Sequence, residues 1–251
     1  MESAPVRKST RYKEVDVLRG VAILMMVTYH SLFDLWFLGL WQVDVISGFW
    51  RGFAYATVTL FLALVGVSLT LSSSVAERKM TRTKYYRKFF ERGIFIFGLG
   101  MLITGVTWIF VPEGTILFGV LHLIGLSVIL SLPFLKRPML ALIAGIVCMI
   151  AGILLMQVTG PGWLLWLGIH PAGFQSLDYT PVLPWFGVVL AGIFLGSTLY
   201  PGGVRKFQAP DEKINTLAPL GFLGRHSLVI YLVHQPVILL VLKVFTGAGL
   251  F

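Results

Sequence analysis

Residues Val17–Leu40 read VLRGVAILMMVTYHSLFDLWFLGL, and this stretch decides the fold class. Its length matches the roughly 20 apolar residues with which an α-helix crosses a hydrocarbon core about 30 Å thick. It nevertheless carries Arg19, His30 and Asp34. Ionisable groups at membrane depth are costly and face a cavity or a partner, so the segment that spans the bilayer also holds candidate chemistry. The run is too long for a secretory signal and lacks a small-residue cleavage site, so it reads as a retained first helix.

Working outward, six further apolar stretches of spanning length follow, at about Trp50–Ser73, Gly93–Val111, Thr115–Leu135, Met139–Val158, Val182–Tyr200 and Leu228–Phe245. The expected fold is an all-α polytopic membrane protein of about seven transmembrane helices, built as a single domain over residues 1–251. Composition agrees: 57% of the 251 residues are hydrophobic and 12% charged, about half the charged content of a soluble domain. A cytosolic enzyme, a disulfide scaffold and a disordered tail are thereby excluded. The single cysteine, Cys148, forms no intrachain disulfide and no thiolate metal cluster.

The net charge of +9 raises the question of nucleic acid, and its placement answers it. With the N-terminus inside, seventeen of the twenty Lys and Arg residues fall on inner segments, as the positive-inside rule requires. They lie in the N-terminal segment 1–15, in a basic loop at 77–92, at Lys136 and Arg137, and between Arg205 and Arg225. Arg51 and Lys243 are at or near the outer side, where residues 159–181 form a loop. Charge spread along one membrane face suits a bilayer, not nucleic acid, and the expected location is the cell membrane. The C-terminus is then outside. Segment 77–92, with Tyr85, Tyr86, Phe89 and Phe90 among its cations, suits anionic lipid or a soluble anion such as a nucleotide.

The polar residues of the spans carry the chemistry. Asp16 and Arg19 are three apart and within pairing reach at the inner interface. His30 and Asp34 share a helix face at i,i+4, a spacing that lets a carboxylate hold one imidazole nitrogen and leave the other as a base. His122 and His234 lie at depths comparable to His30, so three helices can each offer a histidine. The segment Asp178–Gly187, DYTPVLPWFG, adds a carboxylate and Trp185 to an outer face already holding Asp44 and Glu113, a combination suited to a polyhydroxy or amine-bearing acceptor. No HxxxH or HExxH pair occurs, and His226 and His234 stand about 12 Å apart along one helix, so no metal site is expected.

Six blocks carry a family resemblance: Asp16-Val-Leu-Arg-Gly-Val-Ala22, Tyr29-His-Ser-Leu-Phe-Asp34, Leu60-Phe-Leu-Ala-Leu-Val-Gly-Val-Ser68, Gly119-Val-Leu-His-Leu-Ile-Gly125, Pro184-Trp-Phe-Gly187, and Gly224-Arg-His-Ser-Leu-Val-Ile-Tyr-Leu-Val-His-Gln-Pro236. Together they resemble the transmembrane acyltransferases, in the branch similar to heparan-α-glucosaminide N-acetyltransferase. The resemblance implies transfer of an acetyl or acyl group from cytosolic acyl-CoA to an amino sugar or related glycan at the outer side, without a metal. His30 then matches the first-helix histidine of the wider superfamily and is the expected general base, with Asp34 stabilising its imidazolium and His122 or His234 polarising the thioester. Arg19, Arg225 and His226 are the expected donor-binding groups, and Asp178 and Trp185 the expected acceptor-binding ones. The lysosomal eukaryotic enzyme differs in having asparagine at the position of His30. The competing reading of the same residues is a small proton-coupled transporter using a His/Asp relay. Small residues in the spans also permit a homodimer.

Overall fold

The structure is a computed structural model describing residues 11–208 and 211–246, except the side chains of 211–213 and 246. The first ten residues of the basic segment 1–15, with Arg7 and Lys8, and the Lys213 side chain lie outside what is described. Nine α-helices form among the described residues: α1 (Lys13–Phe37), α2 (Gly48–Lys79), α3 (Arg82–Phe110), α4 (Val120–Leu130), α5 (Pro138–Leu155), α6 (Val182–Leu199), α7 (Asp211–Thr216), α8 (Ala218–Arg225) and α9 (Ser227–Thr246). Only two isolated bridges, Phe118 with Tyr179 and Thr159 with His170, interrupt this all-helical character among the described residues.

Six of the helices, α1, α2, α3, α5, α6 and α9, are long and apolar enough to cross a membrane. The distribution of side chains is inverted relative to a soluble domain. Ile109, Leu154 and Val244 are 73%, 72% and 72% exposed, whereas Asp16, Asp34, His122, Ser127 and Ser131 are buried. Apolar surface on that scale needs lipid around it, and the chain is an integral multi-pass membrane protein.

Two expectations change in detail. The fourth apolar stretch, expected as a full span over Thr115–Leu135, contains a helix of only 11 residues, about 16 Å long. Residues before it are not α-helical because their backbone pairs elsewhere: the Thr180 N–H donates to the Phe118 carbonyl at 2.9 Å and the Leu177 N–H to the Gly114 carbonyl at 3.1 Å. The basic segment 77–92, expected as a loop, is helical except at Met80 and Thr81, where α2 gives way to α3.

The chain forms two compact units. The first combines residues up to Phe61 with those from Gln208 onward, so α1 packs against α8 and α9. Glycine makes the α1–α8 contact possible: a Cβ at Gly20 would land on the Leu220 carbonyl, and one at Gly224 on the Asp16 carbonyl. Small residues allow backbones to approach in this way in membrane helices. The second unit, Leu62–Phe207, holds the rest of α2 and α3 through α6. Within it Gly192 of α6 meets the Ala63 carbonyl of α2, and the Thr70 hydroxyl reaches the Ile193 carbonyl at 3.3 Å. At the basic helix ends, Lys136 pairs with Glu77 at 2.7 Å and Ser73 bonds Tyr85 at 2.8 Å.

Candidate functional site

In the first unit α1 and α9 bring two imidazoles together, with the His30 and His234 ring centroids 4.8 Å apart. Each ring is oriented by its own helix. His30 Nδ1 lies 3.0 Å from the Met26 carbonyl, and His234 Nδ1 lies 2.6 Å from the Tyr231 carbonyl. A carbonyl oxygen only accepts, so in each neutral ring the proton sits on Nδ1 and the lone pair on Nε2. Tyr29 and Tyr231 border the pair, at 5.9 Å from His30 and 5.5 Å from His234.

Asp34 does not bond His30, although the i,i+4 spacing allows it. Its Oδ1 instead accepts from the Gln235 side-chain amide at 3.4 Å. The Met26 carbonyl already holds His30 Nδ1, and that removes the donor Asp34 would have used. Asp34 is 5% exposed, and its Oδ2 and the Gln235 Oε1 are buried with no hydrogen-bond partner. Buried acceptors in that state cost about 1–3 kcal/mol each, and such orphaned groups mark places where a structure awaits a ligand, a proton or water. Gln235 escaped the sequence reading. Its signal was an amide beside a histidine within an apolar helix.

At the α1–α8 end of the same unit, Asp16 accepts from Arg19 at 2.9 Å and from Arg11 at 2.7 Å. The first of these is the pair that the i,i+3 spacing led us to expect. Because Gly224 sits on the Asp16 backbone, the following residues Arg225 and His226 start from the same end. Both are exposed. Arg225 lies over the Phe222 ring at 5.9 Å, and His226 Nδ1 is 2.9 Å from the Phe222 carbonyl.

His122 and Asp178 belong to the second unit and are committed to its architecture. His122 is 1% exposed and lies between Phe97 and Phe118, at 5.2 Å and 5.5 Å. Its Nδ1 accepts the Gly119 N–H at 3.1 Å. Nε2 therefore carries the proton and donates to the Thr104 hydroxyl at 3.3 Å, which in turn donates to the Ile116 carbonyl at 2.5 Å. Asp178 accepts the Val120 N–H at 2.9 Å and the Thr180 hydroxyl at 2.7 Å. Two of the N–H groups that a helix start leaves without intrahelical partners are thus met by residues 3 and 58 positions away. The expected roles of His122 on the thioester and Asp178 on the acceptor meet side chains already engaged at the head of α4. Trp185 is half-buried in the first turns of α6.

A family model described as "Heparan-alpha-glucosaminide N-acetyltransferase, catalytic" matches residues 11–236. The chain belongs to this family. The comparison with curated proteins and the comparison with solved structures each return no match. Membership implies transferase activity of the acetyltransferase kind. The blocks that carried the resemblance now divide by task. Those around His30 and His234 build the imidazole pair, the first and last also supply the Gly20 and Gly224 contacts, and the Gly119–Gly125 block forms the head of α4. No group of three His, Cys, Asp or Glu side chains placed to hold a metal ion occurs among the described residues.

Proposed function

We propose that the protein transfers an acetyl or acyl group from cytosolic acyl-CoA to an amino sugar or related glycan at the outer membrane face, with His30 as general base. The observation that carries this reading is the His30–His234 pair, its Nε2 lone pairs set by the carbonyls of Met26 and Tyr231, in a chain of acetyltransferase family. His30 Nε2 removes a proton from the acceptor amine or hydroxyl as its heteroatom attacks the thioester carbonyl, and returns that proton to the departing sulfur. Asp34, one turn along α1, stabilises the imidazolium through the field of its carboxylate, and His234 is placed to share the proton.

The donor's phosphates fit the exposed Arg225 and His226 beside the Asp16–Arg19 pair, since cations with solvent access recognise phosphate through charge-assisted hydrogen bonds. Trp185 is proposed at the acceptor. The orientation follows the basic residues, N-terminus inside and C-terminus outside. Seven crossings are consistent with it. Residues 115–119 are non-helical with a bend at Leu117; at up to about 3.3 Å each they add to the roughly 16 Å of α4 towards a core about 30 Å thick. Non-helical backbone is tolerated at depth when buried in protein.

The test is CoA release by detergent-purified protein given acetyl-CoA and glucosamine, comparing wild type with His30→Ala. Release that requires both glucosamine and His30 supports the reading. Absence of both turnover and thermal stabilisation by acetyl-CoA in folded protein refutes it, and brings forward the relay of a proton-coupled carrier.

A further inference from the structure

Helix α3 presents a second chemical surface, in the second unit and apart from the groups used above. Met80, Lys84, Arg87, Lys88, Glu91, Arg92 and Phe95 line an open groove of about 620 Å³. Arg87 holds Glu91 at 2.6 Å, so the acidic residue is answered within the groove and Lys84, Lys88 and Arg92 remain as net charge. Lys88 reaches the Ser72 hydroxyl at 3.2 Å. Lys84 and Arg92 are exposed and make no hydrogen bond or ion pair with the described chain. The three cations follow one another at i,i+4, in a row along one helix face.

That face changes character abruptly after Arg92. Continuing at alternate spacings of three and four, it carries Phe95, Leu99, Leu102, Val106 and Ile109, and Phe95, Leu102 and Ile109 are 61%, 61% and 73% exposed. From Phe95 to Ile109 the stripe runs about 21 Å at 1.5 Å per residue, a length comparable to a membrane acyl chain. Three turns of cation followed by four turns of apolar side chain describe a single amphiphile with an anionic head and a hydrocarbon tail along the helix axis. A soluble anion would engage the first part alone, whereas a phospholipid engages both, because the exposed apolar stripe already needs lipid around it.

We infer that this face of α3 is a binding site for one anionic phospholipid, its headgroup phosphate among Lys84, Lys88 and Arg92 and an acyl chain laid along Phe95–Ile109. Basic residues at the membrane surface attract anionic lipid with an energy that adds residue by residue, and the groove gives that attraction a defined place. Here Met80 and Phe95 close the two ends of the headgroup position with apolar atoms.

The experiment uses the full chain in lipid nanodiscs, of phosphatidylcholine alone or with one-fifth phosphatidylglycerol, and reads the thermal transition and, after release into mild detergent, the lipids retained in native mass spectrometry. Wild type is expected to be stabilised by phosphatidylglycerol and to retain one such molecule preferentially. Lys84→Gln with Arg92→Gln weakens that retention roughly thirtyfold and removes the stabilisation, whereas Lys206→Gln, an exposed cation elsewhere, leaves both intact. Both substituted side chains are solvent-facing, and unchanged stability of the double variant in pure phosphatidylcholine verifies the fold. Equal effects of the two lipids on wild type, or undiminished retention by the double variant, overturn the inference. So does stabilisation by CoA or inorganic phosphate that the double variant loses while phosphatidylglycerol has no effect, which would make the groove a soluble phosphate site.

Discussion

Two histidine–carboxylate regions of this molecule use the same residue types to opposite ends. Around His122 and Asp178 both ring nitrogens and both carboxylate oxygens are engaged, two by the head of α4 and two by Thr104 and Thr180. Around His30 and Asp34 the ring nitrogens turned from the helix carbonyls bear lone pairs, and Asp34 Oδ2 and Gln235 Oε1 are buried without partners. The first arrangement stabilises a fold, because both ring nitrogens of His122 and both carboxylate oxygens of Asp178 are matched. The second leaves two buried oxygens, Asp34 Oδ2 and Gln235 Oε1, with no hydrogen-bond partner among the described residues. On the proposed function, what separates the two regions is the state of the remaining atoms, not the identity of the side chains.

Substitutions sharpen or break this contrast. The largest effect is expected from His30→Ala, which should lower acetyl transfer roughly a hundred- to ten-thousand-fold, as for loss of a general base, with little change in the thermal transition; CoA release and a melting curve on the same sample check both halves. His122→Ala should do the reverse. Losing the Gly119 and Thr104 contacts and the packing against Phe97 and Phe118 costs about 3 kcal/mol, seen as a lowered unfolding temperature in detergent. An inactive but fully stable His122→Ala protein would break the comparison.

Smaller effects follow at the neighbours. Gln235→Leu frees Asp34 from its only hydrogen bond among the described residues and should slow turnover about tenfold, equivalent to about 1.4 kcal/mol, with the unfolding temperature as the control. Asp178→Ala removes the acceptor for the Val120 N–H and should destabilise by about 1 kcal/mol, the usual worth of a helix cap. The smallest effect is a pH dependence in the segment at 159–181. Burial raises the Tyr179 phenol from 10.0 to about 12, and its hydroxyl donates to the Leu165 carbonyl at 2.8 Å. The unfolded chain ionises first, so this contribution is complete below pH 10 and disappears as pH rises towards 12. The stability difference between wild type and Tyr179→Phe should narrow across that interval.

Hydropathy made the spanning helices legible, because lipid imposes length and composition directly on each of them. The Asp16–Arg19 pair was equally readable, since it is a property of a single helix. The start of α4 was not: Thr115–Gly119 continues the apolar run of the helix after it, and periodicity does not distinguish a short apolar non-helical segment from a helical one. The hydrogen bond from the Val120 N–H to Asp178 was not legible either, because the two residues lie 58 positions apart. Gln235 was missed for the same reason. Its partner Asp34 is on the first helix, and only the folded chain brings α1 and α9 together.

The Gln235–Asp34 contact joins positions 201 apart in the chain, and its consequence concerns biosynthesis. Helix α1 emerges from the ribosome well before α9 and enters the membrane with Arg19, His30 and Asp34 before either His234 or Gln235 has been translated. It must wait in lipid, or beside the insertion machinery, until the last helix arrives to complete its surroundings. Premature termination anywhere before α9 therefore leaves the Asp34 carboxylate and the His30 imidazole without the Gln235 and His234 side chains that face them in the complete fold.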